Sequence, residues 1–306
     1  MLDELAVPLG GELVVYGTSV EGRPLRALRI PSSGGPGRPR ALCCANIHGV
    51  ELIGAYLLLT LVRRLAAEES DLAPLREAAE IWLAPCLNPD GYARTWERGG
   101  QGSLASLRHN ANGVDLNRNW PLPEGARRLP FPGAGSPTPG DATYRGPHPL
   151  SEPESAAIAE LAATIDAHAG LNLHSFMGTV IPASVRDRPA YATYRRLCRA
   201  FAAAQPGPRY RRLAHRHLDV FTGEMEDHQH HNLDTWAACV EIFPLLATFR
   251  QHLRAPSLFW RFNPRDPDRW AANDIPGIAA FLLAALATPR PRALAQPVLE
   301  DSSSAG

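Results

Sequence analysis

The chain contains no lysine, so all 31 of its basic residues are arginine. Coding bias toward GC-rich codons is the simplest source, but the absence has chemical consequences. A lysine Schiff base, a Ser–Lys dyad and a P-loop lysine are all excluded. Net charge is lacking as well: 31 acidic residues balance the 31 basic ones, and the pI is near 7.2. No nucleic-acid or membrane-surface partner is expected from such a balance. Long apolar runs are also missing, the longest stretches, around 52–62 and 278–286, being too short for a bilayer. The opening Met1-Leu2-Asp3-Glu4-Leu5 has neither a basic nor an apolar region, so no secretory signal is expected. Five cysteines, an odd number, fall at Cys43, Cys44, Cys86, Cys198 and Cys239, four of them in apolar, strand-like contexts. Reduced, buried thiols in a cytoplasmic protein are the expected state.

The 306 residues, 45% hydrophobic and 20% charged, suffice for one large core. Short apolar runs at 12–16, 25–30, 41–46, 81–87, 169–174 and 237–243 read as strands. Segments 52–67, 153–166, 190–204 and 275–287 read as helices, the second with a capping-box pattern from Ser151 to Glu154. Asn88-Pro89-Asp90-Gly91 reads as a turn, and 99–141, rich in Gly, Pro, Asn and Arg, as a long functional loop. Alternating strands and helices with no linker predict a single α/β domain over residues 1–290, with a disordered tail at 291–306. In such sheets the strand ends gather at one crevice. His48, Asn88, His174 and Glu241 each stand at or just past a strand-like run.

His48 and Glu51 form an H-x-x-E pair at the opening of a helix. Imidazole nitrogen and carboxylate oxygen are ordinary zinc ligands, and a His₂Glu set leaves a fourth position open. Alone, the pair also fits a helix-start histidine with a capping glutamate, and His174 alone also fits a core histidine. Glu241 interrupts the apolar run Ala-Ala-Cys-Val-Glu-Ile-Phe, where a carboxylate is costly unless it has a partner or a task.

Read together, His48-Gly-Val-Glu51, Asn88-Pro-Asp-Gly-Tyr92, Gly113-Val-Asp-Leu-Asn117-Arg118-Asn-Trp120, the Gly146 to Glu154 segment, Leu173-His174-Ser175 and Val240-Glu241 occur in one family's order. The sequence resembles the zinc carboxypeptidase family of funnelin-type metallopeptidases, and the HGVE form is closer to its bacterial members. The segment Tyr16–Pro24 is also similar. The resemblance implies a mixed, twisted eight-stranded sheet sandwiched between helices. It also implies one zinc ion held by His48, Glu51 and His174, with Glu241 as general base. Arg108 matches the arginine that stabilises the oxyanion, with Arg94 and Arg98 as competitors for that place. Asn117 and Arg118 match the pair that grips a substrate's terminal carboxylate, whereas Asn88 and Asp90 read as structural.

The implied substrate is a peptide or peptide-like molecule with a free carboxylate, cleaved at its C-terminal amide bond. A murein-peptide amidase of the γ-D-Glu-diaminopimelate type, an N-acyl amino acid deacylase and a non-catalytic peptide-binding relative are the alternatives. The NPDGY and SEPE segments argue against the deacylase. Position 50 is valine where digestive members carry arginine, and no tyrosine stands some twenty residues before Glu241. The acidic run Glu224 to His231 falls where the specificity pocket is usually formed. It reads either as a solvated charged loop or as a wall favouring a basic or amine-bearing side chain. His228, His230 and His231 within it offer a second metal site or are bystanders.

Overall fold

The computed structural model of the chain describes residues 2–128, 133–214, 221–244 and 253–292. Eight strands among them form one sheet: β1 (Glu12–Thr18), β2 (Pro24–Ile30), β3 (Arg40–Ala45), β4 (Glu80–Ala84), β5 (Ala167–Phe176), β6 (Thr179–Pro182), β7 (Arg211–Arg212) and β8 (Trp236–Pro244). Their spatial order is β1-β2-β4-β3-β5-β8-β6-β7. The central four, β4, β3, β5 and β8, run parallel. The pairs β1–β2, β2–β4 and β6–β8 are antiparallel. This is the single α/β domain expected from the alternating runs, with the mixed eight-stranded sheet that the resemblance implies.

Continuous apolar runs such as Ala-Leu-Cys-Cys-Ala in β3 bury both faces, as strands covered on two sides must. One face is covered by α2 (Ile53–Ala66), α3 (Ala73–Ala78), α7 (Arg188–Ala204) and α10 (Pro267–Leu286), around a core holding Tyr194, Phe201, Trp236 and Phe281. The other is covered by α6 (Pro153–Ile165) and α8 (Met225–Leu233), with Trp120 and Met225 in a smaller core. The remaining helices are α1 (Leu2–Ala6), α4 (Pro89–Glu97), α5 (Leu104–Arg108) and α9 (Leu258–Phe262). Because β4, β3, β5 and β8 are parallel, their C-terminal ends lie along one rim. His48, Asn88, His174 and Glu241 come together there by topology alone.

Several local expectations are corrected. Asn88-Pro-Asp-Gly is the capped start of α4, the Asn88 carboxamide accepting from Gly91 N at 2.8 Å. The capping box at Ser151 does not form: α6 starts at Pro153 after Glu152, which makes no side-chain cap. Ser151 Oγ instead donates to Glu152, and Glu154 accepts from Val20 N and Asn110 Nδ2. The last helix begins at Pro267, under an Asp266 cap, well before the expected 275. Its first turns carry Asp268, Arg269, Asn273 and Asp274, which hide the apolar period. The long loop from residue 99 contains α5. The segment 224–231 is no solvated loop: it enters α8, and Glu226 and Asp227 are each only 2% exposed. Tail residues 293–306 lie outside the described residues.

Candidate active site

The loop after β3 is shaped by Asn46, whose left-handed backbone (φ 54°) turns the chain. Its Nδ2 donates to the carbonyls of His48, Gly49 and Glu51 at 2.9, 3.3 and 3.3 Å. The tip rests on the start of α4. Gly49 packs so closely there that a Cβ would stand 2.4 Å from the Gly91 carbonyl carbon. Asn88 Nδ2 donates to Ile47 O, and Asp90 holds Ser19, the Glu21 backbone N–H and Arg23. Asn88 and Asp90 are thus structural: they brace the wall behind the loop.

On this loop and the end of β5, His48, Glu51 and His174 converge. Glu51 Oε1 lies 2.8 Å from His48 Nδ1, and its Oε2 lies 3.1 Å from His174 Nδ1. One donor atom from each of the three residues lies within 4.8 Å of the others, and all three residues are buried. Two imidazoles and a carboxylate form a His₂Glu donor set. Separations near 3 Å suit donors that share one tetrahedral ion at about 2.0–2.2 Å. Burial would push the Glu51 carboxyl up, but His48 and His174 hold it below the usual carboxylate range. Burial depresses the His174 imidazole, leaving it a neutral donor.

The far side of His48 is fixed by Asp115, whose Oδ1 lies 3.1 Å from Nε2. That contact leaves Nδ1 as the donor facing Glu51 and His174. Asp115 Oδ2 accepts from Arg108 Nε at 2.7 Å, and Arg108 Nη1 stands 4.0 Å from Glu51 Oε1. Burial opposes the Asp115 charge, but Arg108 and His48 hold its carboxyl well below the usual range. Asp115 is the functional residue that motif reading passes over; its signal is an acid between the apolar Val114 and Leu116. Arg108, at the end of α5, is the arginine the fold brings to the site. Arg94 donates instead to the carbonyls of Ser106, His109 and Asn110.

Glu241 lies on β8, in register with His174 on β5 and with Thr179 on β6. The residue is half-buried, yet its Oε2 is enclosed without a hydrogen-bond partner. Burial and the neighbouring Glu51 push its carboxyl up to about 8. An enclosed, unpartnered carboxylate oxygen beside the His₂Glu set is what a site built around a cation and its water would carry.

Asn117 and Arg118 stand on a short 3₁₀ turn against the N-terminus of α8, where Asn117 Oδ1 accepts from Met225 N at 3.2 Å. Arg118 donates to Gly133 O and Asn117 O at 2.7 Å each, and to Glu224 Oε1 at 3.0 Å. Glu226 and Asp227 follow, their carboxyls raised well above the ordinary range by burial and by Glu224. Val50 turns into a small core with Leu107 and Phe262. The histidines of α8 are engaged with other groups: His228 against the Trp120 ring, His230 on Tyr194 and edge-on to His231, and His231 on the Ser184 carbonyl. Among the described residues they join no metal-binding group. Of the segment expected to carry a closing tyrosine, residues 215–220 lie outside the described residues.

Known proteins resemble the chain in sequence and in fold. Human carboxypeptidase D is 36% identical over 140 residues, which is 36% of this chain and 10% of that protein. The chain thus spans about a tenth of that relative's length. The crystal structure of thrombin-activatable fibrinolysis inhibitor superposes with a TM-score of 0.73 at 18% identity, covering 93% of this chain and 72% of that one. Murein-tripeptide amidase MpaA from Escherichia coli O157 gives 0.51 at 22% identity, covering 89% and 91%. The zinc carboxypeptidase family model matches residues 6–243, and the chain belongs to that family.

Proposed function

We propose that the chain is a zinc-dependent carboxypeptidase that hydrolyses the C-terminal amide bond of a peptide. The observation that carries this reading is the enclosed, unpartnered Oε2 of Glu241 beside the converging donors of His48, Glu51 and His174. A zinc ion held by those three donors would polarise the scissile carbonyl and acidify a water. Glu241 takes the proton of the attacking water and delivers it to the leaving amine, a task suited to a carboxyl raised toward neutrality. Arg108, fixed by Asp115, directs a permanent cation at the oxygen that gains charge. Arg118, with Asn117, holds the terminal carboxylate and so restricts cleavage to chain ends.

Glu224 refines the substrate. Its carboxylate sits on Arg118, so the end of the site offers one cation and one anion side by side. That pair complements a terminal residue bearing both a carboxylate and an ammonium group. It favours, as a second reading, cleavage of a γ-D-Glu-diaminopimelate bond, and a murein-tripeptide amidase is among the structures this fold matches. All five cysteines are free thiols, which supports a cytoplasmic setting. Among the described residues no helix is long and apolar enough to cross a membrane.

The test is a panel of free-acid, C-terminally amidated and γ-D-Glu-diaminopimelate peptides, run with zinc-loaded protein. Loss of one terminal residue from free-acid peptides alone supports the carboxypeptidase reading. Cleavage of the γ-linked peptides alone moves the site to the amidase reading. Cleavage of none contradicts both.

A further inference from the structure

Five arginines line one cavity of about 990 Å³ beyond Glu241: Arg209, Arg211, Arg254, Arg265 and Arg269. All five are exposed. Among the described residues none of them is in an ion pair. Elsewhere the arginines commonly meet carboxylates, as Arg23, Arg29, Arg64, Arg108 and Arg118 do. The carboxylate among the cavity's described lining residues is Asp266, and it is already engaged: its Oδ1 accepts from Arg269 N at 3.2 Å as the cap of α10. The cavity therefore carries a local excess of positive charge in a chain whose formal net charge is zero.

Two of the guanidinium groups are held over indole rings. Arg265 Cζ lies 5.6 Å from the Trp260 ring centroid, and Arg269 Cζ lies 5.4 Å from that of Trp270. Stacking restricts a long side chain before any ligand arrives, and guanidinium pairs well with planar carboxylates. The cavity is large enough for several side chains of a bound peptide.

Its place in the fold says which part of a peptide would reach it. Met177, Gly178 and Thr179 line it just after His174, and Phe243 lines it just after Glu241. Thr179 is the register partner of Glu241. Trp270 and Phe243 belong to the core on the α10 face, whereas Leu116 and Met225, flanking Asn117 and Arg118, belong to the core on the α8 face. The strands bearing His174 and Glu241 lie between the two. A peptide whose terminal carboxylate rests on Arg118 crosses those strand ends and directs its preceding residues toward the arginines.

We propose that this cavity is a subsite for acidic side chains on the N-terminal side of the scissile bond, making acidic peptides the preferred substrates. The cleavage part of this proposal rests on the carboxypeptidase reading; the binding part does not.

The experiment therefore has two arms on the full chain. In the first, a C-terminally amidated tetraglutamate peptide and its tetraserine counterpart are titrated calorimetrically, with inorganic phosphate as a third probe. The glutamate peptide is expected to bind at least about tenfold more tightly than the other two, and to lose that margin at about 0.5 M salt. In the second, kcat/KM is compared for free-acid peptides with glutamate or serine upstream of the same terminal residue. The glutamate-to-serine ratio is expected to be about tenfold, and to fall toward one in Arg265→Gln/Arg269→Gln and in Arg211→Gln. Equal binding of the two peptides, phosphate binding as tightly as the glutamate peptide, or a ratio that survives both variants would overturn the proposal. Absence of any cleavage would count against the carboxypeptidase reading, and the binding arm would still decide the cavity.

Discussion

Asp115 Oδ1 meets His48 Nε2 at 3.1 Å, on the opposite edge of the ring from Glu51. Its other oxygen holds Arg108. One buried carboxylate thus fixes both the ring of His48, the proposed metal ligand, and the guanidinium of Arg108, the proposed oxyanion-stabilising cation. Asp115→Asn is expected to weaken zinc binding about 10- to 100-fold, the usual effect of removing a ligand's outer partner. Competition with a chelator reads this directly; zinc affinity equal to that of the unaltered protein would contradict the assignment.

Gly49 has no room for a side chain, since its Cβ would meet the backbone of Gly91. Gly49→Ala is expected to push the ligand loop off α4, costing about 1–3 kcal/mol of stability, and to lower zinc affinity as well. Urea unfolding of the zinc-free protein, with a zinc titration, separates the two effects. A loss of neither shows that the loop yields without moving its ligands.

Arg118 and Glu224 make opposite predictions at the terminal residue. Arg118→Met should raise KM for free-acid peptides by roughly 10- to 100-fold, as loss of a charge-assisted contact worth about 1.5–3 kcal/mol implies. Glu224→Gln should spare apolar terminal residues but weaken selection for an ammonium-bearing one. A terminal-residue panel with both variants tests this; an unchanged preference in Glu224→Gln removes Glu224 from specificity.

The sheet and its site were legible in the sequence to different depths. Buried parallel strands announce themselves by apolar runs, and that placed β3, β4, β5 and β8, hence the rim bearing His48, His174 and Glu241. The short strand β6 and the edge strand β7 carry no such signal; β7 is only Arg211–Arg212. The run 224–231 reads as surface because charge is normally solvated. It folds instead as a buried helix: Asp227 accepts from Ser184 N, Asn172 donates to Glu226, and burial raises both carboxyls. Asp115 was in plain view within GVDLN, but its task depends on His48 and Arg108, residues that only the fold brings to it.

Away from the site, Asp274 is a built-in reporter of pH. It accepts from Gln205, Tyr210 and Asn273, but burial outweighs those bonds and pushes its carboxyl up to about 6. The folded state therefore holds a proton that the unfolded chain has released above its ordinary value of 3.8. Between about pH 4 and 6 this group makes stability fall as pH rises, by up to about 3 kcal/mol. Asp274→Asn should flatten that part of the profile. Urea midpoints measured across the range check the sign; identical slopes in the two proteins would contradict it.

The general-base role of Glu241 is decided by a paired measurement on Glu241→Gln: zinc bound per chain, and turnover of a free-acid peptide. One zinc per chain is expected in both proteins, with a fall in kcat of about 10²- to 10⁴-fold in the variant. Turnover within a few-fold of the unaltered protein, with zinc retained, would contradict Glu241 as the group that moves the proton.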